Sequence, residues 1–422
     1  MLINLAYGKT GLEVNLPEKR TTVIEPNYLP GLPDEAEVLL RALRSPINKP
    51  PLKSLVSSDQ TVAISVCDIT RPMPSSRVLP ILLQELKHVP RQQILIMVAN
   101  GTHRANSQEE LAGMLGAEIS DNYEVVNHDA FNDEILEQVG QTSGGIPIWM
   151  NRRWMQSDVR ITTGFVEPHF FAGFSGGPKM VAPGQAGFKT IIQLHGARIL
   201  SDPNSTWGVT EGNPVHDAIR EIAQHTGVDF SIDVTINSDH QITGVFAGEL
   251  FEEHSQACKF AKKTAMRAVP EPFDVVVTTN SGYPLDLNLY QSVKGMSAAA
   301  RVVREGGTIV CAAECWDGIP EQGEYKQILA SGSSPSQLLA MINSPGYERH
   351  DQWQVQLQAQ IQLKAKVFLK SSHLEDIQVR ASHLEPIQDI EETVEEALDR
   401  YGPESTLCVL PQGPQTIPYV QG

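Results

Sequence analysis

The stretch Thr61-Val62-Ala63-Ile64-Ser65-Val66 indicates the fold class, because it is apolar at most positions and leads directly into the polar turn Cys67-Asp68. A strand that is buried on both faces has this nearly continuous apolar composition. Six further runs share it: Gln93–Val98, Val159–Thr163, Val275–Thr278, Thr308–Cys311, Ala365–Leu369 and Leu407–Leu410. Helical patterns lie between the runs. This alternation predicts an α/β fold with doubly wound, mostly parallel sheets.

Helix and turn signals separate these strands. Serine or asparagine before an apolar periodic segment predicts a helix start, and glycine after it predicts the end. The predicted elements are a helix over Ser75–Lys87, a capping box at Ser107 and Glu110, an N-cap at Asn213 before Pro214, an amphipathic helix over Ile390–Tyr401 that ends at Gly402, and a β-hairpin over Asp233–Gly248.

The chain of 422 residues is long enough for two or three domains, and its proline-rich segment 268–272 precedes a fresh strand. We therefore expect an N-terminal α/β domain over 1–269 and a C-terminal α/β domain over 270–422, whose last segment packs back on the first. Both domains should be doubly wound and Rossmann-like. Two domains imply a cleft between them, which is where we expect the active site.

Composition narrows the class of function. The net charge of −17 argues against nucleic-acid binding, which needs clustered lysine and arginine. The five cysteines are an odd, sparse set, which favours a reducing compartment, with Cys311 and Cys315 interpreted as small buried residues. The sequence has neither a signal-peptide pattern nor an apolar run of membrane-spanning length. We expect a cytoplasmic protein without a membrane or nucleic-acid partner.

Polar clusters follow four of the predicted strands at their carboxyl ends, where open α/β sheets bind ligands. The clusters are Cys67–Pro72, Asn100–Arg104, Glu167–His169, and Asn280–Tyr283 continuing to Tyr290–Lys294. Taken singly, each has an ordinary structural interpretation. Asp68 and Arg71 could form a local turn ion pair, and His103 could be a loop histidine bonded to backbone. The shared topological position is what favours a common site.

The run Glu167-Pro168-His169-Phe170-Phe171-Ala172-Gly173-Phe174-Ser175-Gly176-Gly177-Pro178-Lys179 is the strongest functional signal, and His195 follows it. A buried lysine can form covalent bonds, and imidazoles bind metals or transfer protons. Met180 follows Lys179, which disfavours a phosphate-binding P-loop. A dinucleotide fingerprint and a zinc His-Glu-x-x-His helix are absent. Two alternatives stay open: a metal site made of His103, His169 and His195, and a purely structural role for Glu167, Gly176 and Gly177 in shaping the turn.

At these residues the chain resembles the nickel-dependent lactate racemase family. The matching pieces run in order along the chain: Asp68-x-Thr70-Arg71-Pro72, Gly101-Thr102-His103-Arg104, Glu167-Pro168-His169, Ser175-Gly176-Gly177 with Lys179, His195, Tyr290-Gln291-x-x-Lys294 and Asp351-Gln352-Trp353. The resemblance spans the chain from Asp68 to Trp353, and its most specific piece leads from Glu167 through Lys179 to His195.

The resemblance implies a cofactor and a role for each residue. The cofactor is a nickel pincer nucleotide, a pyridinium-3-thioamide-5-thiocarboxylic acid mononucleotide, made by separate biosynthetic enzymes and joined covalently to Lys179. His195 is implied as the nickel ligand, with Thr70, Ser175, Gly176 and Gly177 as the other cofactor contacts. His103 and His169 are implied as the acid/base pair, with Asp68, Arg71 and Lys294 assisting catalysis. Arg71, Lys294, Tyr290, Gln291 and Trp353 are implied as the substrate contacts.

The implied reaction is racemisation of a 2-hydroxy acid through hydride transfer from Cα to the cofactor pyridinium. Lactate is the first candidate substrate. The alternatives are epimerisation of a longer hydroxy acid, such as malate or a sugar acid, a lyase that uses Lys179 as a Schiff base, and a protein that only binds nickel or carries the cofactor.

Overall fold

The computed structural model describes residues 1–421, and the chain divides into two compact units. Unit I consists of Tyr28–His195 and Asp202–Thr264. Unit II consists of Met1–Asn27, Gly196–Ser201 and the chain from Ala265 onward. Each unit has its own six-stranded sheet, so the predicted α/β class with two doubly wound domains is confirmed.

The strands of the described chain include all of the predicted apolar runs. They are β1 (Leu2–Leu5), β2 (Leu12–Asn15), β3 (Thr21–Val23), β4 (Val62–Val66), β5 (Ile94–Val98), β6 (Glu124–Asn127), β7 (Leu136–Gln141), β8 (Pro147–Asn151), β9 (Val159–Phe165), β10 (Pro168–His169), β11 (Gly173–Phe174), β12 (Phe230–Ile236), β13 (Ile242–Gly248), β14 (Met266–Val269), β15 (Phe273–Thr279), β16 (Val303–Ala312), β17 (Lys366–Lys370), β18 (Glu385–Pro386), β19 (Leu407–Leu410) and β20 (Ile417–Val420). All seven predicted strands are present, and β16 is longer than its predicted core.

The helices of the described chain lie between these strands. They are α1 (Glu35–Arg44), α2 (Leu52–Leu55), α3 (Ser75–Glu85), α4 (Gln108–Leu115), α5 (Ala117–Asn122), α6 (Arg152–Gln156), α7 (Phe188–Leu194), α8 (Ala197–Leu200), α9 (Pro214–Thr226), α10 (Leu250–Ala265), α11 (Leu289–Ala300), α12 (Tyr325–Ala330), α13 (Pro335–Ile342), α14 (Gln352–Lys364), α15 (Asp376–Ala381) and α16 (Ile390–Tyr401). Among residues 1–421, no helix is both long enough and apolar enough to cross a bilayer.

The helix boundaries follow the local chemistry that predicted them. The Ser107 hydroxyl accepts the Glu110 amide while the Glu110 carboxylate accepts the Ser107 amide, so the capping box opens α4. The Asn213 side chain accepts the amides of Val215 and His216 at the start of α9. The predicted hairpin over Asp233–Gly248 is the antiparallel pair β12 and β13. These predictions are confirmed.

The sheet of unit I has the strand order β13-β12-β9-β4-β5-β6, and only β13 is antiparallel to its neighbour. Every residue of β4 and β5 is buried, as strands covered on both faces must be. From β4 the chain builds outward through β5 and β6, and it then returns to place β9 on the other side of β4. The strand order therefore reverses between β4 and β9.

The sheet of unit II has the order β18-β17-β16-β15-β19-β3, and all of its pairs are parallel. Its edge strand β3 comes from the N-terminal segment and pairs with β19. Ile3, Leu5 and Val14 of the β1–β2 hairpin join the same apolar core as Val275 and Val409.

The sequence predicts two domains that meet between residues 269 and 270. That these domains fold separately stays a prediction. The compact units differ from it, because the first 27 residues lie with the C-terminal half of the chain. The physical reason is the pairing of β3 with β19 together with the burial of the β1–β2 hairpin. β20 also returns to pair in parallel with β14, a strand that the sequence did not predict.

Replacing Ile64 by alanine should destabilise unit I strongly, because this residue is fully buried in the central strand β4. We expect Ile64→Ala to lower the free energy of unfolding by about 2–5 kcal/mol. Ile377→Ala is the matched control, since Ile377 is 71% exposed and should change that free energy by less than about 0.5 kcal/mol. Denaturant unfolding of the two variants measures the difference, and equal midpoints would contradict this account of the core.

Candidate active site

The candidate site of unit I lies at the carboxyl ends of its parallel strands. Asp68 follows β4, His103 follows β5, and the run from Glu167 to Lys179 follows β9. Because the strand order reverses between β4 and β9, the loops that leave these two neighbours diverge and open a crevice. The sequence-predicted residues of this unit therefore come from the loops around one topological switch point.

Asp68 and His103 form a hydrogen-bonded pair in this crevice. The Asp68 Oδ2 atom lies 2.7 Å from His103 Nδ1, and the Thr70 hydroxyl donates to Asp68 Oδ1, also at 2.7 Å. Asp68 is buried, whereas 46% of the His103 side chain is exposed. With Nδ1 bonded to the carboxylate, His103 presents its Nε2 atom outward. The turn ion pair between Asp68 and Arg71 that the sequence left open is not among the ion pairs of residues 1–421.

The charge of Asp68 is maintained despite its burial. Burial by itself raises the pKa of this carboxyl, but the hydrogen bond and charge of His103, the charge of Arg71 and the Thr70 hydroxyl together lower the pKa below its ordinary value. The ionised carboxylate therefore holds the proton of His103 on Nδ1 and leaves Nε2 as an acceptor.

His169 has the opposite arrangement of its ring nitrogens. It lies in the short strand β10, and its Nδ1 atom accepts the backbone amides of Phe171 and Ala172, each at 3.2 Å. Its ring also stacks on Phe170, with centroids 4.6 Å apart. Because an accepting Nδ1 carries no proton, the neutral ring of His169 holds its proton on Nε2. Unit I thus contains one histidine whose Nε2 atom can accept a proton and another whose Nε2–H group can donate a hydrogen bond.

Lys179 is carried by a short 3-10 turn over Gly177–Met180, and it is only partly buried. Gly176 enters this turn with φ of +74°, a conformation that residues with a Cβ rarely adopt. The Ser175 hydroxyl donates to the Phe165 carbonyl at 2.6 Å and accepts the Glu167 amide at 3.0 Å. Ser175 therefore ties the turn back to the end of β9.

His195 caps the carboxyl end of α7 and is oriented by its own helix. Its Nδ1 atom donates to the Ile191 carbonyl at 2.9 Å. Its ring also lies edge to face with the Phe171 ring, with the two centroids 6.2 Å apart. Metal-binding histidines are commonly fixed in this way, with one nitrogen donating to a carbonyl and the other bearing the lone pair. His195 Nε2 is therefore suited to bind a metal.

The predicted substrate contacts that lie in unit II begin two of its helices. Tyr290, Gln291 and Lys294 lie in α11, and Trp353 lies in the first turn of α14. The Trp353 indole donates to the Tyr290 hydroxyl at 3.0 Å. The Asn288 side chain caps α11 by accepting the Gln291 amide at 3.1 Å. The structure thus brings Tyr290 and Trp353 into contact, and their role in binding stays a prediction.

A group of buried titratable residues lies beneath the Lys179 turn, and the sequence analysis missed it. Asp233 Oδ1 accepts the Gly177 amide at 3.1 Å, and His254 Nε2 donates to the Ser175 carbonyl at 2.9 Å. Glu253 neighbours this pair, and the His216 ring stacks on His254. The sequence predicted Asp233 only as the start of a hairpin. The available signal was a charged residue inside the otherwise apolar and hydroxylated run Phe230–Ile236.

Burial controls the charge of this group. Burial raises the pKa of Asp233 to about 7 and raises that of Glu253 well above its ordinary value, with the charge of Asp233 contributing to the latter. Burial also lowers the pKa of His254 to about 4 and that of His216 to about 3. Both imidazoles are therefore neutral near pH 7.

The alternative of a metal site made only from protein side chains is not supported. Within residues 1–421, no group of three or more histidine, cysteine, aspartate or glutamate side chains is arranged to hold a metal. His103, His169 and His195 therefore do not form the three-histidine site that the sequence left open.

Comparisons with known proteins agree with the order of these motifs. Residues 7–208 match the family model described as the lactate racemase N-terminal domain, and residues 269–417 match the lactate racemase C-terminal domain. A lactate racemase from Thermoanaerobacterium thermosaccharolyticum is 33% identical over 98% of each chain. A lactate racemase from Lactiplantibacillus plantarum is 36% identical over 90% of each chain.

Solved structures show the same likeness. The lactate racemase apoprotein from T. thermosaccharolyticum superposes with a TM-score of 0.93 at 32% identity, over the whole of both chains. A Thermotoga maritima protein superposes with a TM-score of 0.71 at 18% identity, covering 93% of this chain and all of the other. The second likeness concerns the fold alone.

The buried histidine His254 should make the stability of unit I fall in mild acid. Its folded pKa of about 4 lies below the ordinary value of about 6.5, so the unfolded chain binds the extra proton and stability declines as pH falls from about 6.5 towards 4. Asp233 and Glu253, whose pKa values are raised, contribute in the opposite sense, so the effect of His254 is seen as a difference between two proteins. We therefore expect the free energy of unfolding of His254→Gln, relative to that of the wild type, to rise by about 1.4 kcal/mol for each unit by which the pH falls in this window.

Denaturant unfolding at a series of pH values measures this slope in the wild type and in His254→Gln. The slope is the readout because it is separate from any uniform loss of stability that the substitution causes. Curves that stay parallel between pH 6.5 and 4 would show that His254 is not held neutral by burial.

Proposed function

This chain belongs to the lactate racemase family, and on that premise we propose that it is a racemase that interconverts the configurations of a 2-hydroxy acid by reversible hydride transfer from Cα. Lactate is the first candidate substrate, because both curated relatives are named for it. The observation that carries the proposal is the opposite protonation of His103 and His169. Two enantiomers place their hydroxyl protons differently, so a racemase of this kind uses two acid/base groups.

We propose that the cofactor is a nickel pincer nucleotide joined to Lys179 through a thioamide, with His195 as the nickel ligand from the protein. Bound in this way, the cofactor supplies a hydride acceptor next to the metal. The residues present fit such a group: His195 has its Nδ1 atom bonded to Ile191, which leaves Nε2 for the metal. Lys179 lies on a turn that begins at Gly176, and because glycine has no Cβ the backbone there can approach a ligand closely. Imidazole is a ligand type that suits nickel, so His195 would supply the protein's ligand to the metal.

The acid/base step is proposed to use the two histidines in turn. His103 Nε2 removes the hydroxyl proton of one enantiomer, and the Asp68 carboxylate stabilises the imidazolium that results. Loss of this proton together with the Cα hydride would leave a 2-keto carboxylate with no added charge, whereas loss of a bare Cα proton would place a second negative charge beside the carboxylate. His169, once it has bound a proton from solvent at Nδ1, then supplies its Nε2 proton as the hydride returns to the other face of the ketone, and it is left as a neutral imidazole. The His103 imidazolium releases its proton to solvent, which restores both histidines.

Substrate binding is proposed to depend on two cations and an aromatic pair. Arg71 and Lys294 would bind the carboxylate that all 2-hydroxy acids share. Tyr290, Gln291 and Trp353 would complete the binding surface, and the indole-to-hydroxyl hydrogen bond between Trp353 and Tyr290 fixes two of these side chains in advance. We also propose that Thr70, Ser175, Gly176 and Gly177 contact the cofactor.

The proposal includes partners and a location. The cofactor would come from separate biosynthetic enzymes, which are therefore the protein partners that we expect. All five cysteines are unpaired and buried, which is typical of a protein in a reducing compartment. We accordingly place the protein in the cytoplasm.

Intact-mass measurement combined with nickel analysis tests the cofactor directly. We expect wild-type protein, expressed together with the cofactor-synthesis enzymes, to carry a nickel-containing adduct that peptide mapping assigns to Lys179. Lys179→Arg is the control, because it keeps the positive charge but cannot form the thioamide. An unmodified wild-type chain from cells proven to make the cofactor would overturn the proposal and favour a Schiff-base lyase, which borohydride trapping with a keto acid would reveal.

Replacing each histidine should separate the two half-reactions. We expect His103→Gln and His169→Gln each to lower racemisation by about 10²–10⁴-fold, equally in both directions because the enantiomers have equal free energy. Each variant should still form up to one equivalent of 2-keto acid from one enantiomer, and the two variants should prefer opposite enantiomers. Trapping the keto acid in a single turnover, with lactate and then longer hydroxy acids, measures this. Preference of both variants for the same enantiomer would contradict the two-base assignment.

A further inference from the structure

Asp233 is a buried carboxyl directly beneath the turn that carries Lys179. It lies on β12 with no exposed surface, and its Oδ1 atom accepts the Gly177 amide at 3.1 Å. Gly177 opens the 3-10 turn and precedes Lys179 by two residues. The position of the lysine backbone therefore depends on a hydrogen bond from the turn to the sheet.

Two glycines leave room for this carboxyl group. Gly164 lies opposite Asp233 in the β9–β12 ladder, and a Cβ at residue 164 would lie 2.2 Å from Asp233 Oδ1. A Cβ at residue 176 would lie 3.0 Å from each of the two carboxyl oxygens. Real Cβ atoms do not approach oxygens as closely as 2.2 Å, so the space between sheet and turn is shaped to contain the Asp233 carboxyl.

This arrangement costs stability, which is a reason to look for a function. The Asp233 Oδ2 atom and both Glu253 carboxyl oxygens have no hydrogen-bond partner among the described residues. Burying polar atoms without partners is unfavourable, and two neighbouring buried carboxyls cannot both be charged. Apolar residues of the same size would make a more stable interior. Packing alone therefore does not account for Asp233.

We propose that Asp233 is a positioning residue for cofactor attachment. It fixes the backbone of the turn at Gly177, so that the Lys179 amine is presented to a thiocarboxylic acid carbon of the cofactor, where the C–N bond of the thioamide would form as the C–OH bond breaks and water leaves. This inference rests on the proposed function, because it assumes that Lys179 carries the cofactor. Asp233 contacts the turn at the Gly177 amide, and we propose that its effect on Lys179 passes through the backbone.

Three variants separate positioning from packing. Asp233→Ala removes the acceptor, whereas Asp233→Asn keeps an oxygen acceptor of the same size at the same position. Glu253→Ala is the matched control, since it removes a neighbouring buried carboxyl that makes no hydrogen bond to the turn. Each variant is expressed with the cofactor-synthesis enzymes, and its thermal unfolding is recorded to establish that it folds.

Two readouts are independent of turnover: hydrogen exchange of the peptide that contains Gly177, and the fraction of chains with the Lys179 adduct. In Asp233→Ala we expect exchange at the Gly177 amide to rise by about fivefold or more, the effect of losing one hydrogen bond, and the adduct fraction to fall at least as much. Asp233→Asn should resemble the wild type in both, and so should Glu253→Ala. Folded Asp233→Ala with wild-type exchange and adduct fraction would overturn the inference.

The outcome also distinguishes this inference from the proposed function. A wild-type chain without any adduct would sink the cofactor assignment, and the exchange measurement would then decide whether Asp233 holds the turn. If Asp233→Ala does not fold, Gly164→Ala decides instead, because its Cβ displaces the Asp233 carboxyl from Gly177 without removing it. Gly164→Ala should also expose the Gly177 amide and lower the adduct fraction. An unchanged turn in that variant would equally overturn the inference.

Discussion

The reversal of strand order between β4 and β9 is the constraint on which the candidate site of unit I depends. These strands are adjacent in the sheet, but the chain leaves them in different directions, so no single connection can cover the space beyond their carboxyl ends. Asp68 leaves one strand and the run to Lys179 leaves the other. The chemistry of the unit is concentrated there because the sheet leaves an opening there.

Within that opening, hydrogen bonds to one nitrogen of each imidazole decide what the other nitrogen can do. The Asp68 carboxylate fixes His103 as an acceptor at Nε2, and two backbone amides fix His169 as a donor. The Ile191 carbonyl accepts the Nδ1 proton of His195 and leaves its Nε2 lone pair available. Three histidines are thereby oriented in three different ways, and a neighbouring carbonyl, amide or carboxylate is the cause in each case.

Unit I also contains a conflict between stability and function. The Asp233 and Glu253 carboxyls are buried with most of their oxygens unpartnered, and two glycines leave space for one of them. Strain and unsatisfied polar groups tend to persist where a site requires them. The turn above these carboxyls is the one that presents Lys179, so the unfavourable burial coincides with the residue on which the proposed cofactor chemistry depends.

The sequence by itself determined the elements and the residue types of the site. Apolar runs, caps and glycine positions are local signals, and they predicted the strands, the capping box at Ser107, the start of α9 and the turn before Lys179. The glutamines that alternate with apolar residues from 354 to 363 form the buried helix α14, although such alternation is typical of a strand. In this segment the tertiary hydrogen bonds of the glutamine side chains favour the helix, since Gln354 donates to the Tyr290 carbonyl and Gln356 donates to the Ala197 carbonyl.

Only the tertiary structure decided which distant segments meet. It placed β3 beside β19, Asp233 beneath Gly177, and each histidine against the atom that sets its protonation. The sequence could not decide these matters, because a pairing between residues tens or hundreds of positions apart leaves no periodic pattern in either segment. It follows from the order of the strands and from the space that packing leaves between them.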